Sequence, residues 1–517
     1  MSLPNPLIPG FHPDPSIVKD GNDYYLVNSS FEFLPGLPIH HSTDLVHWSL
    51  IGHVITRPSQ LSLEGIFTNG GVWAPTIRKH NGLFYVTVKV AGKLGGPAGM
   101  HVFTATTPAG PWSDGTFIEG LHGIDPDLAW DENGDCWMAF SGLNFSTGKP
   151  VHHGIQVAKV NPETGQVLGE VIDLWEGAGL MFPEGPHLYK VGEYWYLLAA
   201  EGGTDRGHAV TVARSHNILG PWESAPTNPV LTARSEFHSV QNVGHADLVE
   251  TPDGGWAMVA LGVRSFGTSN GFSPLGRETF ISAVTWVDGW PVCERIEVNE
   301  VQAPKHYLAD FRSLETEGVP LEWIGMRRYP EELAVFSSSG LTLPASGRTM
   351  SHLEPDALCR RQTFLSGRAQ LSLTTNGVAG LSIRYNEAFH YDIEAQPGRV
   401  VARFAVNTVV HEIASEVDFP DANQVDLYID FKERPGGFSI GGNAPDYIEL
   451  GYLTKDGEPV ALATWDGRFL SQEVNSSFTG RAFAIYSVEG DSTFLSYKEF
   501  PKAAKASSME NNFSESI

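Results

Sequence analysis

The chain has 517 residues, a formal charge of −26 and 41% hydrophobic content. The acidic excess disfavours nucleic acid and polyanionic polymers, which need clustered Lys and Arg, and no basic run occurs anywhere, so a neutral ligand fits best. The length exceeds one ordinary core and leads us to expect two domains. Met1 to Gly10 has neither a basic n-region nor an apolar h-region, and the densest apolar run, Tyr194 to Ala200, is far short of the ~20 residues that span a bilayer. Cys136, Cys293 and Cys359 are odd in number and far apart, which suits core thiols in a reducing compartment. The expectation is a cytoplasmic protein with no membrane segment.

In chain order, a hairpin signal of Gly followed by aromatics recurs five times. It reads Gly21-Asn22-Asp23-Tyr24-Tyr25, Asn81-Gly82-Leu83-Phe84-Tyr85, Asn133-Gly134-Asp135-Cys136-Trp137, Gly192-Glu193-Tyr194-Trp195 and Asp253-Gly254-Gly255-Trp256. Each is preceded, seven to nine positions upstream, by a polar or aromatic residue: Asp14, Trp73, Asp125, Glu184 and His245. Second turn signatures ending in Trp48, Trp112 and Trp222 share the period. A repeat of roughly 50–60 residues built from short strands predicts an all-β fold, a five-bladed β-propeller whose inner strands converge on one channel. On this reading all five upstream residues occupy one slot of the repeat. Asp131 to Asp135 lacks the Glu that closes an EF-hand loop and is read as a hairpin turn.

The period stops near residue 300, and alternating strands such as Ala379 to Tyr385 and Val425 to Phe431 follow, broken by Gly and Pro. They predict a second all-β unit, a β-sandwich. The boundaries read 1–303 for the propeller, 304–505 for the sandwich and 506–517 for a polar, frayed tail.

Alone, the Asp-Pro pairs at Asp14 and Asp125 are ordinary turn elements. Glu184 between Pro183 and Gly185-Pro186 is an unusual setting for a solvated acid. Carboxylates from three blades around a narrow channel repel one another, so at least one is expected to stay protonated near neutrality. One acid to protonate a leaving oxygen and one carboxylate to activate water or attack is the pattern of glycoside hydrolysis.

The runs Pro13-Asp14-Pro15-Ser16, Gly71-Val72-Trp73-Ala74-Pro75, Gly123-Ile124-Asp125-Pro126, Glu184-Gly185-Pro186-His187, Glu201-Gly202-Gly203-Thr204, Gly244-His245-Ala246 and Leu275-Gly276-Arg277-Glu278-Thr279-Phe280 together resemble family 43 of the glycoside hydrolases. The second unit resembles the concanavalin-like sandwich of that family's β-xylosidase-like members. The resemblance implies an inverting, exo-acting enzyme that releases terminal β-D-xylose or α-L-arabinofuranose from xylan- or arabinoxylan-derived oligosaccharides. It implies Asp14 as general base, Glu184 as general acid and Asp125 as the residue that tunes the acid. Arg277 would bind sugar hydroxyls. Phe31, Trp73, Ala74, His245 and Phe478 would line the sugar pocket, Phe478 reaching over from the sandwich. No cofactor is needed for this chemistry, although His245 is placed where the family can carry a structural Ca²⁺ or a water cluster in the channel. Asp127 and the Gly-rich stretch from Ala91 to Met100 depart from the xylosidase pattern and leave arabinofuranosidase as the alternative. A non-catalytic carbohydrate-binding propeller would lack one of the three carboxylates, and a retaining fructosidase would show an Asn-Asp-Pro-Asn-like motif near its start. Homo-oligomer formation stays open.

Overall fold

The computed structural model describes residues 3–92, 99–144, 151–266, 271–299, 305–316, 318–417, 424–433 and 444–502. The boundary at 303/304, the tail 506–517 and the centre of the Ala91–Met100 stretch lie outside them. Among the described residues, α-helix is confined to Gln472–Asn475.

Five antiparallel sheets follow one another along the chain. Their first strands are Ser16–Asp20, Gly71–His80, Gly123–Trp130, Glu184–Val191 and Val240–Glu250. Each pairs with the aromatic strand after its hairpin, as in Ile17 with Leu26 and Leu188 with Leu197. The five first strands touch in a closed cycle, the fifth against the first, so they form the wall of one channel with each sheet as a blade behind it. The N-terminal segment closes the ring: Asn5 bridges Asn299 and Ile8 bridges Thr279 on the third strand of the fifth sheet.

The apolar residues Ile17, Ile77, Leu128, Leu188 and Leu248 set the common register, each opposite an apolar partner on the second strand. Counting back from them places Asp14, Asp125 and His245 in one slot, with Ala74 and Gly185 as its other occupants. Trp73 and Glu184 stand one residue earlier, which corrects the expectation of a single shared slot. The offset lies in the hairpins, whose lengths differ: two residues separate the last paired positions in the first, second and fourth blades and five in the third and fifth, so one count back from the turn does not reach one slot. Bulges interrupt the inner strands between Val72 and Pro75, Ile124 and Asp127, Glu184 and His187, and Gly244 and Ala246. Asp14, Asp125, Gly185 and His245 take left-handed φ values of 51, 55, 55 and 46°. In the fourth blade that slot has no room for a side chain, since a Cβ on Gly185 would lie 2.9 Å from His245 Nε2. The carboxylate is therefore carried by the preceding residue.

One layer below, a single guanidinium ties the ring together. Arg78, on the second blade, has Nε 2.9 Å from Asp127 of the third and donates from Nη1 to Asp247 of the fifth at 3.0 Å. Its Nη2 donates to His187 Nδ1 of the fourth at 3.0 Å. Asp247 also accepts from the Ser16 hydroxyl and the Ile17 N–H of the first blade, and Ser16 Oγ accepts from Ile77 N–H. Burial opposes the charge on Arg78, but Asp127 and Asp247 outweigh it and hold its pKa above the ordinary value.

The sandwich packs an eight-stranded sheet on a six-stranded one. Strand Gly367–Thr375 shows why it folds so: Ala369, Leu371 and Leu373 alternate inward to the core while Gln370, Ser372 and Thr374 face away. The fifth propeller sheet ends at Cys293, and the first sandwich strand is Tyr307–Asp310. The two units share structure. Phe33–Leu34 pairs with Gly325–Met326, and Phe11 and Phe33 join Ile324, Met326, Cys359 and Tyr486 in one apolar cluster.

Arg78→Met leaves Asp127 and Asp247 as buried charges without their shared partner. Equilibrium urea denaturation is expected to show a loss of about 3–5 kcal/mol, with Arg78→Lys falling between the two because an ammonium cannot reach all three blades.

Candidate active site

Asp14, Asp125, Glu184, Arg277 and His245 meet at the upper end of the channel, each coupled electrostatically to others of the group. Arg277 is buried, 4% exposed, and its Nη1 donates to Asp14 Oδ1 at 3.0 Å and to Thr204 Oγ1 at 3.1 Å. The Ser29 hydroxyl donates to the other oxygen of Asp14, and His245 Nδ1 lies 3.7 Å from Oδ1. Burial alone would push the Asp14 carboxyl up, yet Arg277, His245 and the Ser29 hydroxyl together hold it below the usual carboxylate value.

The other two acids go the opposite way. Burial, then the charge of Asp14, pushes Asp125 up to about 7, although its Oδ2 accepts a 3.0 Å hydrogen bond from Gly185 N–H. Glu184 is raised well above its ordinary value by burial and by the charges of Asp125 and Asp14. The site thus holds one carboxylate that is ionised at neutrality beside one that keeps its proton. That pairing of a base and an acid is what water-mediated cleavage of an acetal requires.

The walls are aromatic. Phe31 of the first blade and Phe478 of the sandwich stack at 5.7 Å and 29°, and the Arg277 guanidinium lies 5.5 and 5.1 Å from their ring centres. Trp73 Nε1 donates to the Asn69 carbonyl at 2.9 Å. The Asn69 side-chain oxygen accepts from Ser477 Oγ at 2.7 Å and Phe478 N–H at 3.1 Å, so one residue fixes both rings. Ala74 is buried next to Trp73, and the preceding Val72 bridges Phe31. Ser29, Asn69 and Thr204 are contributors that sequence reasoning did not assign. Thr204 lay in a motif already recognised, whereas nothing in the sequence marked Asn69.

The sandwich is bound to this site by close backbone approach. Arg277 Nε and Nη2 donate to the Phe478 carbonyl at 3.3 and 3.1 Å, and Arg481 N–H donates to Pro274 O at 3.2 Å. Gly276, at φ 72°, faces Thr479, whose carbonyl would sit 2.4 Å from a Cβ there.

Burial, followed by the neighbouring His187 and Arg277, lowers His245 to about 4, Asp14 pulling the other way, so it is neutral at neutral pH. The residues around it do not fit a protein-built Ca²⁺ site. Calcium takes six to eight oxygens, but Asp14 is committed to Arg277 and Ser29. No group of three or more His, Cys, Asp or Glu side chains among the described residues is arranged to hold a metal. The Asp131 region is a turn, with Asp131 Oδ1 accepting from Asn133 and Asp135 N–H at 2.9 and 3.0 Å.

The profile of the family described as Glycosyl hydrolases family 43 matches residues 3–291. The chain belongs to that family. A second profile, the β-xylosidase C-terminal concanavalin A-like domain, matches residues 310–500. A non-reducing end α-L-arabinofuranosidase of Bacteroides ovatus is 33% identical, with 93% of this chain and 90% of the relative covered. A xylosidase/arabinosidase of Butyrivibrio fibrisolvens is 32% identical over 96% of this chain and 98% of its own length. The crystal structure of a xylan β-1,4-xylosidase from Bacillus halodurans superposes with a TM-score of 0.84 at 28% identity, covering 96% of this chain and all of the other. This family 43 chain is a glycosidase, and its substrate is a carbohydrate.

Gly276→Ala adds a Cβ where φ is positive and a backbone oxygen is in the way. It is expected to separate Arg277 from the Phe478 carbonyl and lower kcat/KM at least tenfold, with a thermal melt showing that the propeller still folds.

Proposed function

We propose that this protein is an exo-acting, inverting glycosidase that removes a terminal pentose, β-D-xylose or α-L-arabinofuranose, from neutral xylan- or arabinoxylan-derived oligosaccharides. The observation that carries the exo reading is the Phe478–Gly480 segment of the sandwich, which seats its carbonyl on Arg277 and its ring on Phe31. A channel roofed in this way becomes a pocket that admits one terminal sugar.

In this reading Asp14, kept ionised by Arg277, takes a proton from water as the water attacks the anomeric carbon. Glu184, kept protonated by burial and by Asp125, gives its proton to the departing oxygen. The glycosidic bond breaks, the anomeric configuration inverts, and the charge on the two carboxyls is exchanged. Arg277, Phe31, Trp73 and Phe478 hold the terminal sugar while this happens. The names of the relatives include both pentosidase activities, so α-L-arabinofuranosidase is the second reading. Side-by-side hydrolysis of an aryl β-D-xyloside and an aryl α-L-arabinofuranoside ranks the two, and inactivity on both would sink the proposal.

The roles make separable predictions. Glu184→Gln should reduce cleavage of unactivated oligosaccharides by roughly 100-fold or more while sparing aryl glycosides with good leaving groups, which need little protonation; equal losses would argue against its role as the acid. The pH profile of kcat/KM on an unactivated oligosaccharide, whose cleavage needs the proton of Glu184, should respond in opposite directions to two changes. Arg277→Met removes the charge that holds Asp14 down, so the acidic limb moves to higher pH. Asp125→Asn removes a charge that holds Glu184 up, so the alkaline limb moves to lower pH.

A further inference from the structure

We propose that Phe182 is the platform for the leaving-group unit, and that this unit is a pyranose whose C–H face packs on the phenyl ring. The inference rests on the glycosidase reading above and extends it to the other side of the scissile bond. Phe182 lies two residues before Glu184, on the same segment. It is 47% exposed, an open aromatic surface beside the candidate acid.

Two neighbours place its ring at the rim of the pocket. The His152 ring stands 5.4 Å away at 59°, and the Cβ direction of Gly203 meets the Phe182 ring at 3.4 Å. Gly203 adjoins Thr204, which accepts from Arg277. The ring therefore flanks the pocket next to the group that would protonate the departing oxygen.

The segment is also held in an unfavourable conformation. Phe182 has φ 55°, a left-handed value that costs a bulky residue free energy and persists only where the surroundings enforce it. The enforcing contacts are explicit. The buried Glu201 carboxylate accepts from Ala178 N–H at 2.6 Å and Leu180 N–H at 2.8 Å. Gly202 N–H donates to the Met181 carbonyl at 2.6 Å, and Ser141 Oγ donates to the Pro183 carbonyl at 2.7 Å. A solvent-facing ring on a fixed backbone, packed beside His152 and Gly203, suits a sugar platform, since less freedom is lost on binding. A pyranose chair with equatorial hydroxyls offers axial C–H bonds to such a ring, and a small or planar leaving group does not offer the same face.

The test compares two substrates with the same terminal pentose. One carries a xylopyranose leaving group, and the other is the pentosyl fluoride, whose leaving atom cannot span to Phe182. Phe182→Ala is expected to lower kcat/KM for the first roughly tenfold more than for the second, with Phe182→Trp recovering most of the difference. Equal losses on both substrates, or no loss on the disaccharide, would overturn the assignment of Phe182 alone. A wild-type chain that cleaves neither overturns the pentosidase reading, and this inference falls with it.

Discussion

The channel is organised around one buried cation. Arg78 contacts three other blades directly and reaches the first through Asp247 and Ser16. A ring of sheets has no helix or disulfide at its centre to fix the blades against one another, and the strand ladders run within each blade, with isolated bridges such as Phe31 to Val72 crossing between blades. Charge pairing at the axis supplies the missing restraint. Desolvating three charged groups is expensive, and they persist there only because each has a hydrogen-bonded counterpart.

The candidate active site sits one layer above this hub and uses the opposite tactic. Here the acids outnumber the cations: Arg277 faces three carboxyls and is close enough to neutralise one. The imbalance separates the ionisation of Asp14 from that of Asp125 and Glu184. The fold thus places a balanced layer beneath an unbalanced one, the first for rigidity and the second for proton transfer. Arg277 also carries the sandwich, because the bonds it does not spend on Asp14 and Thr204 go to the Phe478 carbonyl.

Much of this was legible in the sequence for identifiable reasons. The hairpin signals work because a tight turn between two strands demands Gly or Asn regardless of context, so Gly21, Gly82, Gly134, Gly192 and Gly254 all take positive φ. The three acids were found because their motifs recur in order. The exact register was not readable: the third hairpin encloses five residues and the fourth only two, so an equal count back from the turn set Glu184 level with Asp125 when it stands one position before. Arg78 was passed over because an Arg near the end of a strand ordinarily faces water, and only the closed ring turns that position inward. Asn69 and Ser29 were missed since their roles depend on partners hundreds of residues away or on the loop's curvature. Phe478 came from family resemblance; no local pattern singles out a loop aromatic that will cross to another domain.

The closure of the ring bears on how the molecule comes into being. Asn5 is hydrogen-bonded to Ile281 through its side chain, and His12 N–H donates to Arg277 O, so the segment leading into Asp14 is anchored by residues made far later. During synthesis the first blade emerges early but waits, its edge unpaired, until the fifth has left the ribosome. The loop roofing the pocket comes some 200 residues after that. A nascent chain can therefore form individual blades in sequence, yet it possesses no assembled active site until the sandwich segment around Phe478 has been translated as well.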